Sequence, residues 1–233
     1  RRTNAQAKEE RRRAFDDMNT IGAQLLCNLT CSMRFEGQLN VDLNEITMNL
    51  VPFPRLHLLL PSLAPLTTTR QQMAKGGRGG GGGGGGMGAR GLNQMFSAAF
   101  SRENQLTSCD PMRRGTYLAC GLFARGRGLQ IDDINRNIDR LRPKLKMVAW
   151  NEDGFKTGLC SAPPAHQPYS LLCLANNSAI RTTLANLGER FHRLYRVRAH
   201  AHHYTEYMEL KEMDEAYRQV LGLERDYGVV ESA

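Results

Sequence analysis

Two acids three residues apart, Asp42 and Glu45, stand in the run Arg34-Phe35-Glu36-Gly37-Gln38-Leu39-Asn40-Val41-Asp42-Leu43-Asn44-Glu45. If residues 41–50 are helical, that spacing sets both carboxylates on one side of the helix. They also fall near its N-terminus, where the dipole favours negative charge. Carboxylates so placed can hold a water molecule or accept a proton. A bare Asp-x-x-Glu spacing is also what a solvated helix cap looks like, so the spacing does not by itself separate chemistry from capping.

The pair must be carried by the elements around it. From Phe15 to Met33 the apolar positions Met18, Ile21, Leu25, Leu26, Leu29 and Met33 recur every three or four residues. That period predicts a helix, and Ala23, Cys27 and Cys31 on its other side predict one enclosed on most faces. Gly37 is expected to end this helix region in a left-handed turn. Asn40 is expected to cap the next helix, about 41–50, which Pro52 and Pro54 stop. Strands are predicted at 56–60, 117–124, 146–150, 156–161 and 170–175, each bounded by Gly, Pro or Asn. Helices are predicted at about 92–101, 131–141, 178–197 and 209–222. In 131–141, Asp132 and Asp133 open the helix, Arg140 and Arg142 close it and Pro143 follows, the charge order a helix dipole prefers. The fold class is α/β: a two-layer sandwich of mixed β-sheet and packed helices, preceded by a long core helix and followed by a C-terminal helical hairpin.

Bulk properties narrow the function classes. With 233 residues the chain can bury a full core. No apolar stretch approaches the ~20 residues of a membrane span, and the charged start carries no signal-peptide pattern, so a soluble intracellular protein is expected. The net charge of +8 is localised. Residues 1–13 hold a net +4 and residues 70–90 another +4, which leaves the rest neutral and gives no basic surface for nucleic acid. The six cysteines include no Cys-x-x-Cys pair and are expected as buried free thiols. His200, His202 and His203 show no further ligand at metal spacing. Residues 1–13 are expected to be a disordered basic lead-in. Residues 67–91, with Gly79 to Gly86 unbroken, are expected to form a disordered loop.

Beyond these patterns, Glu36 to Glu45 followed by Met48-Asn49-Leu50-Val51-Pro52-Phe53-Pro54-Arg55-Leu56-His57 resembles the segment by which tubulins touch the nucleotide of the next subunit. Matching blocks continue in family order over about residues 14 to 221. They include Asn93-Gln94-Met95-Phe96, Arg125-Gly126-Arg127, Trp150-Asn151, Lys156-Thr157-Gly158-Leu159-Cys160 and Leu174-Ala175-Asn176-Asn177-Ser178. Within the tubulin superfamily, Asp42-Leu43-Asn44-Glu45-Ile46 and Asn137-Ile138-Asp139-Arg140-Leu141-Arg142-Pro143 most resemble the epsilon class.

The resemblance implies a C-terminal half. Residues 14–36 would be the core helix leading from an N-terminal GTP-binding domain, 37–177 the middle domain and 178–233 the C-terminal helical region. The phosphate loop and Mg2+ site would lie on that N-terminal domain, so the chain alone is expected to bind no GTP. Phe15 would stack on guanine and Asn19 would bond its edge. Asn40, Asp42 and Glu45 would act on the neighbouring subunit's GTP, with Glu45 the principal acid and Asp42 its helper. Position 45 carries an acid where beta-tubulin has a Lys. GTPase activity is then expected only in assembly. Other tubulin subunits, with delta-tubulin as one candidate, would be partners through residues 36–46, with no nucleic acid or membrane. The implied places are cytoplasm and cytoskeleton, at a centrosome, centriole or basal body. A self-sufficient GTPase would need a phosphate loop that the Gly run cannot supply. An RNA-binding module in residues 76–91 would rest on Arg78 and Arg90 without an aromatic to stack on bases.

Overall fold

Strands β2 (Tyr117–Gly126) and β4 (Tyr169–Asn177) are buried along their whole length, as strands covered on both faces must be. Successive side chains of β4 separate accordingly. Leu171, Cys173 and Ala175 enter one core, and Leu172 and Leu174 another. A computed structural model describes residues 4–37, 39–66, 89–165 and 167–232. In it a four-stranded sheet has the order β1-β4-β2-β3, with β1 spanning Leu59–Ala64 and β3 Phe155–Cys160. The β1–β4 and β4–β2 pairs are antiparallel, and β2–β3 is parallel.

Among the described residues the α-helices are α1 (Asn4–Leu29), α2 (Cys31–Arg34), α3 (Leu43–Leu50), α4 (Ala89–Ala99), α5 (Ile131–Leu141), α6 (Ile180–Tyr195) and α7 (Leu210–Ser232). The mixed sheet with packed helices, the leading helix and the terminal hairpin agree with the predicted class. Both sheet faces are covered. Leu92, Met95 and Phe96 of α4 and Ile134 and Ile138 of α5 pack on one. Ile46 and Leu50 of α3, with Leu25 and Leu29 of α1, pack on the other. The α6–α7 hairpin closes a third cluster around Leu118, Leu184 and Tyr227. There the buried Tyr227 hydroxyl accepts the Leu58 N–H at 3.0 Å, and burial pushes its phenol pKa up.

Several boundaries differ from the sequence reading. α1 starts at Asn4, so the expected disordered lead-in is largely helical; its Ala, Gln, Lys, Glu and Arg residues are good helix formers. The helix is also less enclosed than its pattern predicts. Phe15, Met18 and Leu26 of α1, and Met33 beyond it on α2, are exposed, and α1 reaches the core beneath α3 through Leu25 and Leu29. The predicted strand at 146–150 is reduced to one parallel bridge, Tyr117 to Met147. From Cys120 onward the same edge of β2 is taken by β3. β1 runs to Ala64 through Pro61, which an edge strand tolerates. α7 continues ten residues beyond Gly222. There the Arg55 guanidinium lies where a Cβ at Gly222 would stand, so packing outweighs that glycine's low helix propensity. Among the described residues no helix is long and apolar enough to cross a membrane. Of the expected loop 67–91, residues 67–88, with the Gly79 to Gly86 run, lie outside the described residues, and 89–91 open α4 instead.

Candidate functional site: an acidic helix start tied to a sheet edge

The segment before α3 is fastened to the outer edge of β3. Leu39 N–H donates to the Leu159 carbonyl at 3.4 Å, Leu159 N–H returns a bond to Leu39 at 3.0 Å, and Ser161 Oγ donates to the Glu36 carbonyl at 3.1 Å. Gly37 permits this. A Cβ there would collide with the Leu159 carbonyl oxygen, whereas the positive-φ residues of the described chain lie elsewhere. The expected left-handed turn is therefore absent, and the glycine is required for close approach. Gly37→Ala should force Leu39 off the sheet edge and cost about 1–3 kcal/mol, read as a lower urea midpoint at unchanged m.

Upstream, two guanidiniums lie over the Phe35 ring, those of Arg34 and Arg125 at 4.9 and 5.3 Å from its centroid. Arg125 is buried on β2. It donates to the carbonyls of Ala162 at 2.7 Å and of Pro163 and Cys27 at 3.3 Å. Asn28 adds a second tie between α1 and the sheet, accepting from Ser170 Oγ at 2.6 Å. Asn176 anchors the far end of α3 by donating to the Leu50 and Leu56 carbonyls at 2.8 and 2.7 Å.

At the near end the N-cap is Asp42, not the predicted Asn40. Its Oδ1 accepts the Glu45 N–H at 2.6 Å. The cap site is set two residues later because Val41 is drawn into the core beside Ile46 and Leu50. Asn40 is exposed on the preceding loop. Asp42 is exposed as well, and the Glu45 side chain retains 44% of its accessible surface. Glu45 Oε1 is 3.1 Å from Lys156 Nζ on β3. Sequence reasoning gave Lys156 no role, since the two residues are 111 apart in the chain. The one available signal is strand parity, which puts Lys156 on the same sheet face as Gly158 and hence toward α3. Two glycines on that face let the helix come close. Cβ atoms at Gly121 and Gly158 would meet Leu50, Val41 and the Phe123 ring. The result is a solvent-facing carboxylate with one oxygen held by a cation and the other outside that ion pair, beside a second acid spent on the helix cap.

Phe15 and Asn19 lie one turn apart on α1, both exposed, so a stacking ring and an amide can address one ligand. They are not brought to the acidic pair. Phe15 is ten residues before Leu25, the first α1 side chain in the core beneath α3, or about 15 Å of helix. The histidines form an exposed turn in which His202 and His203 have ring centroids 4.0 Å apart. Among the described residues no group of three or more His, Cys, Asp or Glu could hold a metal ion. The cysteines are free, and Cys27 is exposed, contrary to its expected burial; the other five are buried.

Comparison with known proteins agrees with this architecture. A family model described as "Tubulin C-terminal domain" matches residues 85–189. The chain is 48% identical to the tubulin epsilon chain of Homo sapiens over 222 residues, which is 94% of this chain and 44% of that protein. The Mus musculus epsilon chain gives the same identity and coverage. The tubulin alpha-3 chain of Saccharomyces cerevisiae is 34% identical over 227 residues, 93% of this chain and 48% of that one. The chain thus spans about half the length of the curated relatives it matches. With matching blocks in order along the chain, a mixed sheet built from those blocks and these similarities, the chain belongs to the tubulin family, close to its epsilon class.

Proposed function

We propose that this chain is part of a cytoskeletal subunit of the epsilon-tubulin kind, and that it completes a GTPase site on the adjoining tubulin subunit. The observation that carries the reading is the placement of Glu45: half exposed in the first turn of α3, directly after a loop held to the sheet edge. A carboxylate in that position can accept a proton from a water attacking a nucleotide bound elsewhere, while Asp42 fixes the helix start. Exposed Met48, with Phe53 and Trp150 edge to face at 5.6 Å, supplies apolar surface suited to burial against a partner.

In this reading residues 36–46 form the longitudinal contact with other tubulins, and delta-tubulin is one candidate. GTP with Mg2+ is held mainly by the family's N-terminal domain. This chain adds Phe15 beneath the guanine and Asn19 at its edge, and the exposure of both side chains fits them to that task. The cellular setting that follows is the cytoskeleton, at the centriole or basal body. The test is single-turnover GTP hydrolysis in a mixed assembly of this protein with nucleotide-loaded tubulin. Phosphate release should accelerate with added chain, and release unaffected by it at saturating concentration would reject the proposal.

A further inference from the structure

The Glu45–Lys156 ion pair stands out because its contribution to stability is small while its effect on geometry is large. With side chains 44% and 25% exposed, such a pair is screened by water and adds little to the stability of a fold. A glutamate on an open helix surface has three rotatable side-chain bonds, and without a tether its carboxylate would sample several directions. Lys156 removes that freedom. Its backbone is fixed within β3, paired in register with Gly121 of β2. Because Gly121 has no side chain, α3 packs close above that position, with Leu50 filling the space a Cβ would need. The ammonium therefore rises from a rigid sheet to a helix held by Asn176 at one end and by the Asp42 cap at the other.

We infer that Lys156 is a positioning residue for Glu45: it holds Oε1 so that the other carboxylate oxygen is directed outward to water on the adjoining subunit. This rests on the function proposed above for Glu45. A lysine suits the task because its compact charge engages one oxygen and leaves the second free, whereas an arginine fork tends to take both.

The experiment compares wild type, Glu45→Ala, Lys156→Met, Lys156→Arg and the Lys156→Met/Glu45→Ala double variant in the same mixed assembly, reading single-turnover hydrolysis and nucleotide affinity separately. Lys156→Met should slow hydrolysis on the order of 10-fold, within the ~10²-fold that a misplacement of about 1 Å can cost, at unchanged nucleotide affinity. Lys156→Arg should recover part of the rate. The double variant should be no slower than Glu45→Ala. A slow Glu45→Ala with a wild-type rate for Lys156→Met would overturn the positioning role and leave the function of Glu45 standing. A double variant slower than Glu45→Ala would also overturn it, because Lys156 would then act on the nucleotide directly. Full activity in Glu45→Ala would remove the underlying reading itself. Thermal melts of each variant accompany the kinetics, and unchanged midpoints tie the rate losses to the site.

Discussion

Replacement of Glu45 by Ala is expected to slow GTP hydrolysis on the adjoining subunit by about 10²–10⁴-fold, the usual worth of a positioned general base, while that subunit still binds its nucleotide. The structure makes the expectation specific. Asp42 caps α3 through the backbone N–H of residue 45, which Ala retains, so the helix start survives the substitution. Only the partly exposed pair with Lys156 is lost, and the fold should change by no more than about 1 kcal/mol. Glu45→Gln is the sharper companion: it keeps the size of the side chain and removes the proton acceptor, so it should be nearly as slow. Phosphate release in single turnover, with nucleotide occupancy measured in parallel, separates the outcomes. Equal rates for wild type and both variants would leave the acidic helix start as a cap and nothing more.

The second large effect concerns Arg125. Its guanidinium, 6% exposed, donates to the carbonyls of Ala162, Pro163 and Cys27. It thereby joins β2, the segment after β3 and the end of α1, and its face covers Phe35. Arg125→Ala removes the donor to the carbonyls of Ala162 and Pro163, leaves Cys27 only its 2.6 Å bond from Arg34, and opens a gap beside Phe35. A loss of about 3 kcal/mol is expected, or roughly 6–12 °C in the thermal midpoint for a chain of this length. Arg125→Lys should recover only part of it, because an ammonium cannot span the same carbonyls with a planar fork. A far-UV melting curve checks this, and a midpoint within about 2 °C of wild type would show that the three contacts are dispensable. The effect should also reach the site, since Phe35 begins the loop that leads to the Asp42 cap and to Glu45 in the first turn of α3.

Where physical signals are local, they were legible in the residue order. The helix Ile131–Leu141 carries its own start and stop, in Asp132 and Asp133, Arg140 and the following Pro143. β2 and β4 were visible as apolar runs closed by Gly and Asn. The two acids could be placed at a helix start from spacing and glycine alone. Misreadings fell where one local signal competed with a distant partner. Residues 146–150 have strand-like composition, but β3 already occupies the edge they would need. Asn40 is as good a cap residue as Asp42, and the choice went to Asp42 because Val41 is buried in the core.

The amino-acid order on its own thus determined the α/β class, the family resemblance, the neutral balance of the middle of the chain and the position of the acidic pair. Tertiary structure decided that Gly37 is needed for space and not for a left-handed turn, that Phe15 is exposed, and that Lys156 meets Glu45 at 3.1 Å. The reason lies in what each level can report. Periodicity and capping describe neighbours along the chain, whereas a contact between residues 111 apart depends on which strand takes the sheet edge and how closely a helix can approach it.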